Sequence, residues 1–401
     1  MKVLVADAFE KSGLDGLAAL GCEVLYEPKL EGASLGARLA ETGAQALVVR
    51  STKVGAAEME GASGLALIVR AGAGVNTIDL QAASARAIAV SNCPGKNAIA
   101  VAELTWGLIL ALDRRIVDQM NDLRAGVWNK SLYGKARGLA GRTLGVIGLG
   151  AIGLEVVGRA KAFGMPVVAW SRSLDEDRAA QLGVARADSI HALAAASDGV
   201  TVHCALTRET KGMLDAKFFA AMKPGAFFVN TSRGEVVDQP ALEAAIAEKV
   251  LRAGLDVFAK EPSGGTGTFE DGIALLPGVI GTHHVGASTE QAQAAIAEET
   301  VRIVAAFAST GEVPNAVNLA SRTPATHVLS VRHRDRVGIL AHVFGVLRAA
   351  GINVEQTENV VFAGAEAACA HIQVGRAPQE AVLEEIQRGC ADVLSISVRP
   401  L

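Results

Sequence analysis

The chain has 401 residues, half of them hydrophobic, and its 38 Lys and Arg against 42 Asp and Glu leave a net charge of −4. That length suits two or three domains with a large core, and a slightly acidic chain without a long basic run argues against nucleic acid and anionic membrane as partners. The longest apolar stretches, such as LTWGLILAL from Leu104, are too short to span a bilayer, and Met1 opens into a strand-like KVLVADA without a signal-peptide pattern, so a soluble cytoplasmic location is expected. The five cysteines are odd in number, scattered and without CxxC spacing, which indicates neither a disulfide framework nor a metal site.

In the first hundred residues KVLVADA, CEVLYE, ALVVR, ALIVR and AIAV read as strands separated by Ala-rich helices, a βαβ pattern and hence a parallel sheet. Two of these strands end in arginine, Arg50 and Arg70, and the second runs straight into Ala71, Gly72, Ala73, Gly74 and Val75. Ligands of open parallel sheets collect at the carboxyl ends of strands. Two arginines beside a glycine loop able to present backbone N–H groups therefore point to an anionic-substrate cleft, the alternative being two surface side chains.

After Asn92, Cys93, Pro94 and Gly95, the apolar-striped NAIAVAELTWGLILALDRR reads as a helix crossing to a second lobe. The stretch TLGVIGLGAIGLEVVGRA, from Thr143 to Ala160, then combines a buried strand, glycines 148, 150 and 153 at GxGxxG spacing, and the start of a helix. Gly148 suits the tight turn, Gly150 the close approach of a pyrophosphate and Gly153 the packing of helix on strand. The helix N-terminus offers free N–H groups to the phosphates.

Further strands are expected at PVVAW, GVTVH, AFFVN, LRAGLDV and VIGT. The acidic residue usual about 20 positions after such a turn is missing, and Ser171, Arg172 and Ser173 stand there instead. A carboxylate would repel a 2′-phosphate whereas Arg172 between two hydroxyls could bind one, so NADP is favoured over NAD. Three polar residues follow strands on one edge of the sheet: Arg233 in NTSRGEVVD, Glu261 in AKEP and His284 in GTHHVGAST. A nicotinamide dehydrogenase needs a cation for a substrate carboxylate, an acid–base group near neutrality and a carboxylate to support its protonated form. From spacing alone, an ion pair of Arg233 with another acid competes with this reading, and His283 competes with His284.

STEQAQAAIAEETVRIVAAFAST is read as the return helix, with Ser288 as N-cap and Gln291 completing a capping box. VPNAVNLASRTPA reads as a linker. The final segment gives the order βαββαβ: strand HVLSVRHR, a helix from Gly338 to Ala350, strands INVEQTENV and AACAHIQV, helix PQEAVLEEIQRG and strand VLSISVRP. Edge strands of so small a sheet commonly need covering, so pairing between subunits is expected.

The blocks VRSTKV, VRAGAGVNTIDL, NCPGKNAIAVAEL, GVIGLGAIG, NTSRGEVVD, LDVFAKEP and THHVGAST together resemble the D-2-hydroxyacid dehydrogenase family over essentially the whole chain, most of all its phosphoglycerate dehydrogenase branch with a C-terminal ACT domain. The resemblance implies an α/β protein of two doubly wound parallel-sheet lobes: a flavodoxin-like substrate lobe (1–97 and 287–318) and a Rossmann nucleotide lobe (98–286). A βαββαβ ACT-like regulatory domain at 325–401 completes it. Arg233, Glu261 and His284 take the catalytic positions. Gly148, Gly150, Ala151, Ile152, Gly153, Ser171, Arg172, Cys204, Thr231, Ser232, Asp256 and Gly286 take the cofactor positions, Asp256 facing the nicotinamide carboxamide. Arg50, Arg70, Gly72, Ala73 and Gly74 face the substrate, and His333 and Asn353, with Asp335 in place of an Asn, match effector positions. Ser171 replaces the usual Asp, and His283 the usual Pro. The implied reaction is reversible NAD(P)-dependent hydride transfer between 3-phosphoglycerate and 3-phosphohydroxypyruvate, in serine biosynthesis, by a homodimer or homotetramer open to an amino-acid effector. An NADPH-dependent glyoxylate or hydroxypyruvate reductase is the nearer alternative, and a non-catalytic nucleotide-sensing interaction protein the other.

Overall fold

The computed structural model describes residues 1–262, 266–320 and 322–401. Short runs of Val, Leu, Ile and Ala form the first sheet: β1 (Lys2–Val5), β2 (Glu23–Tyr26), β3 (Ala46–Val49), β4 (Leu67–Arg70) and β5 (Ala89–Asn92). All pairs are parallel and the order is β2-β1-β3-β4-β5. β3 is buried along its whole length, as expected of a parallel strand covered on both faces.

The second sheet comprises β6 (Leu144–Ile147), β7 (Val167–Trp170), β8 (Ala185–Arg186), β9 (Gly199–Val202), β10 (Phe227–Asn230), β11 (Arg252–Leu255) and β12 (Val279–Gly281). It is also parallel, ordered β12-β11-β10-β9-β6-β7-β8. The two-residue β8, too short to leave a hydrophobic pattern, is absent from the sequence reading. In both sheets the order reverses beside the first strand, and the expected ligand crevice lies above that switch.

Two long helices cross between the sheets. Ala98–Arg114 buries Trp106, Ile109 and Leu112 against Leu144, Val146 and Val229, and Trp106 stacks on Phe163 with ring centroids 4.6 Å apart. Glu290–Thr310 returns and packs Ile296, Ile303 and Val304 on Val3 and Val69 of the first sheet and on Leu17 of the helix Lys11–Ala19. Its N-cap is Thr289, whose hydroxyl accepts from the amide of Ala292, and not the expected Ser288. Ser288 instead accepts from the Arg50 guanidinium at 3.3 Å. Ser and Thr both cap well, so the two adjacent candidates could not be separated by residue type.

The chain divides into two compact units, Met1–Asn318 and Leu319–Leu401, and both parallel sheets belong to the first. The second unit has the expected βαββαβ order. β13 (His327–Arg334), β14 (Val354–Val361), β15 (Ala367–Val374) and β16 (Val393–Pro400) form an antiparallel sheet ordered β14-β15-β13-β16, with helices Ile339–Ala349 and Glu380–Arg388. Among the described residues no helix is long and apolar enough to cross a membrane.

The expected linker is more ordered than its composition suggests, although its Ser321 lies outside the described residues. Residues 314–318 run antiparallel to β5. The Ser91 hydroxyl donates to the Pro314 carbonyl at 2.6 Å, the Val317 amide to the Val90 carbonyl at 2.8 Å, and the Val90 amide to Asn318 Oδ1 at 2.7 Å. The buried Glu299 carboxylate of the return helix joins this ribbon, accepting from Asn315, Arg302 and, at 3.4 Å, Lys96. The Arg302 hydrogen bond outweighs the opposing effect of burial, and with Asn315 and Lys96 it holds the carboxyl down to about 2, against an ordinary 4.5.

A carboxylate with a lowered folded-state pKa contributes stability above its unfolded value and loses it as pH falls towards the folded one. Glu299→Gln is therefore expected to cost about 1–3 kcal/mol at neutral pH. Melting curves at a series of pH values should show its deficit constant above about pH 4.5 and shrinking below that.

Candidate functional site

The crevice is built from the carboxyl ends of both sheets. On the first-sheet side, Asp7 follows β1, and its Oδ2 accepts from the amides of Arg50, Ser51 and Thr52 at 2.6, 2.9 and 3.0 Å. That carboxylate fixes the turn that carries Arg50 out of β3. Arg70 ends β4, and its Nε is buried without a hydrogen-bond partner among the described residues. Burial first, then the charges of Arg233 and Arg50, bring its guanidinium down to about 10, so it stays charged at neutral pH.

Glycine is required twice in the loop after Arg70. Gly72 has φ of +148°, and a Cβ there would overlap Arg70 Nη1. A Cβ on Gly74 would overlap Arg233 Nη2. These two positions leave room for one guanidinium from each lobe. The Cys93 amide holds the Gly72 carbonyl at 2.9 Å and Asn92 Nδ2 holds the Ala73 carbonyl at 2.5 Å.

On the second-sheet side, β10 delivers Arg233 through a short, tightly bonded turn. Asn230, 1% exposed, donates from Nδ2 to the Arg233 carbonyl at 2.9 Å and accepts on Oδ1 from the amide and hydroxyl of Ser232. Arg233 donates to the Ser232 carbonyl and, across the crevice, to Asn76 Oδ1 at 3.3 Å. Thr231 and Ser232 are buried, and the Thr231 hydroxyl bonds that of Thr105 on the crossing helix at 2.9 Å.

His284 and Glu261 arrive from separate loops and meet with Nδ1 to Oε2 at 2.7 Å. Burial would raise the Glu261 carboxyl, but the hydrogen bonds from His284 and the Phe258 amide, and the charges of His284 and Arg233, prevail and leave it below the ordinary value. It is thus an ionised partner for the imidazole, and Arg233 lies within its electrostatic reach. His284 has φ of +53°, a left-handed conformation held by its amide on the Asp256 carbonyl at 2.8 Å. Asp256, 1% exposed, anchors the loop: Oδ1 accepts from Thr282 and the Val285 amide, Oδ2 from the Gly286 amide. His283 is exposed and makes no such pair among the described residues.

The glycine turn fits a pyrophosphate. Gly148 has φ of +94°, and a Cβ on Gly153 would overlap the Gly148 carbonyl oxygen, so the absence of a side chain there sets the helix close against the strand. Gly150 is the N-cap of helix Ala151–Ala162; a Cβ on it would meet no atom within 4 Å, and it leaves the helix amides without a side-chain cap. Ala151 and Ile152 open that helix. Cys204, after β9, is half-buried, and burial pushes its thiol up to about 11 against the opposing charge of Arg172. Ser171 is half-buried at the end of β7, and Arg172 is exposed.

Sequence reasoning missed Asp7, Asn76, Thr105 and Asn230. Each works by bonding a neighbouring loop, and a polar residue at a strand end carries no sign of which loop it will meet.

The expected effector residues are not gathered within one copy of the chain. His333 is 2% exposed, with Nδ1 on the Arg334 carbonyl at 2.7 Å and Nε2 on Asn359 Oδ1 at 3.1 Å. Asp335 is exposed in the turn after β13, and exposed Asn353 donates to Glu355. On β15, Val374 faces both His327 and Val354, whereas Ala368 faces both His333 and Val361. Asn353, next to Val354, therefore lies at the opposite end of the sheet from His333, about 20 Å away at the usual strand rise.

Comparison with known proteins agrees with this geometry. Residues 106–286 match the D-isomer specific 2-hydroxyacid dehydrogenase NAD binding domain, and residues 327–358 match the ACT domain. The D-3-phosphoglycerate dehydrogenase of Archaeoglobus fulgidus is 39% identical over 326 residues, 81% of this chain and 60% of that protein. The chain thus spans about 60% of the length of such relatives. The hydroxypyruvate reductase of Thermotoga maritima is 42% identical over 257 residues, 64% of this chain and 82% of that protein. The crystal structure of the TT0316 protein from Thermus thermophilus superposes with a TM-score of 0.70 at 34% identity, covering 79% of this chain and all of the other. With the glycine turn, the two-sided arginine crevice and the His284–Glu261 pair in place, these matches establish that the chain belongs to the D-isomer specific 2-hydroxyacid dehydrogenase family.

Proposed function

We propose that the protein is a D-3-phosphoglycerate dehydrogenase, interconverting 3-phosphoglycerate and 3-phosphohydroxypyruvate with a nicotinamide cofactor. The observation that carries this reading is the crowding of Arg70 with Arg50 and Arg233 around a glycine loop, opposite the His284–Glu261 pair. A substrate with an anion at each end would neutralise such a cluster, and a phosphorylated 2-hydroxyacid has that charge pattern.

When bound, the nicotinamide supplies the hydride acceptor or donor. Gly148, Gly150, Gly153, Ala151 and Ile152 would hold its pyrophosphate, and Thr231, Ser232, Cys204 and Gly286 would line its cleft. Arg233 binds the substrate carboxylate and polarises the C2 oxygen. Glu261 accepts from His284 Nδ1, which leaves Nε2 to take the C2 hydroxyl proton in oxidation and return it in reduction. The ionised Glu261 favours the imidazolium that forms. Arg50 and Arg70 hold the distal phosphate. Arg172, exposed beside two serines, supports NADP in preference to NAD. An amino-acid effector at the ACT-like unit, a homodimer or homotetramer and a cytoplasmic location belong to the same reading.

A second reading, an NADPH-dependent hydroxypyruvate reductase, is favoured by the Thermotoga maritima relative and by Arg172. Rates on 3-phosphoglycerate, 3-phosphohydroxypyruvate, hydroxypyruvate and glyoxylate with each cofactor separate the two. Preference for the phosphorylated acids is expected, and higher kcat/KM on hydroxypyruvate overturns the first reading.

His284→Ala is expected to lower kcat by about 10²–10⁴-fold with cofactor affinity nearly intact, checked by steady-state rates and cofactor titration. Gly72→Ala should displace the Arg70 guanidinium and raise KM for a phosphorylated substrate at least about tenfold while sparing the cofactor site. Arg172→Asp should move preference from NADP to NAD, read as the ratio of kcat/KM values.

A further inference from the structure

The peptide units of the substrate loop owe their orientation to β5. In a trans peptide the carbonyl and the following N–H point in opposite directions. The Gly72 carbonyl faces the Cys93 amide and the Ala73 carbonyl faces Asn92 Nδ2, so the N–H groups of Ala73 and Gly74 point away from β5. Among the described residues no protein acceptor takes either N–H. Gly74 is also the position where a Cβ would strike the Arg233 guanidinium, so that cation lies directly against the loop.

Asn92 is itself held from outside the sheet. Asn315 Nδ2 donates to the Asn92 carbonyl at 3.2 Å and to Glu299 at 2.7 Å. Asn315 has φ of +56°, a backbone conformation that Asn adopts more readily than most residues. It lies in the ribbon that covers the outer edge of β5 and ends at Asn318, the last residue of the first compact unit. By sequence Asn315 is only part of a linker and Asn92 only the start of the crossing.

We propose that Asn92 is a positioning residue for the substrate: through the Ala73 carbonyl it turns the Gly74 N–H group toward the bound carboxylate, and Asn315 locks Asn92 in the strand position this requires. The proposal rests on the reading of the crevice as a 2-hydroxyacid site. It gives the last ordered ribbon before the C-terminal unit a share in substrate affinity, although that ribbon touches no substrate.

The test is Asn92→Asp, which keeps size and shape but sets an oxygen against the Ala73 carbonyl, and Asn315→Gly, which keeps the left-handed backbone but removes the amide. With the full-length protein, Asn92→Asp should raise KM for the acid substrate about tenfold and Asn315→Gly about threefold. In both, kcat should stay within about twofold and cofactor affinity, read by nicotinamide fluorescence, should not change. A merely structural role would lower the melting temperature without this separation of KM from kcat. Amide hydrogen exchange at Ala71 and Gly72, whose N–H groups are bonded to the Val49 and Arg70 carbonyls, should speed up at least about fivefold in Asn92→Asp, and this readout needs no turnover. If the wild type reduces no 2-oxoacid, the functional reading fails while exchange still judges the loop. Unchanged KM and unchanged exchange in Asn92→Asp overturn the proposal, and should that variant not fold, Asn315→Gly decides by the same two measurements.

Discussion

The structure of the cleft follows from bringing guanidinium groups of like charge together in a partly dehydrated space. Burial, and then the nearby charges of Arg233 and Arg50, weaken the hold of Arg70 on its own proton, and its Nε has no acceptor among the described residues. Such a cluster is costly without an anion, because like charges repel more strongly where water is scarce. The surrounding scaffold compensates with rigid supports: Asp7 under the Arg50 turn, Asn230 under the Arg233 turn, and two glycines that yield their side-chain space to the guanidiniums. An anion held between these guanidiniums would relieve the repulsion and turn charge strain into affinity.

The imidazole is held in a similar way. His284 adopts a left-handed backbone that costs energy for a side chain of its size, and it keeps that conformation because Asp256 ties down the residues on either side. The same carboxylate gathers three donors in a nearly water-free position, which makes the loop stiff. Glu261 then needs only to meet an already oriented ring.

Much of this was legible in the sequence where a pattern repeats or a residue type is forced. The parallel sheets announce themselves as short apolar runs, and Gly148, Gly150 and Gly153 announce a tight strand-to-helix turn by their spacing, with no room for a side chain at Gly148 or Gly153. Arg233, Glu261 and His284 stood out because each lies in a loop that follows a strand of the second sheet, and resemblance chose His284 over His283. What could not be read were bonds between distant loops. Asp7 with residues 50–52, Asn76 with Arg233, and Asn92 with Ala73 depend on three-dimensional approach that no local pattern encodes. The effector positions His333 and Asn353 illustrate the converse, since correct strand assignments still leave them at opposite ends of a sheet whose antiparallel register sets the distance. The cap of the return helix moved by one residue because Ser288 and Thr289 have nearly the same chemistry.

Cys204 follows β9 beside the glycine turn, where a Cβ on Gly148 would meet its sulfur at 3.1 Å. Burial pushes its thiol up to about 11, so the neutral thiol is the prevailing form at neutral pH. A cysteine so placed is a weaker nucleophile than an exposed one, because the thiolate is the reactive form.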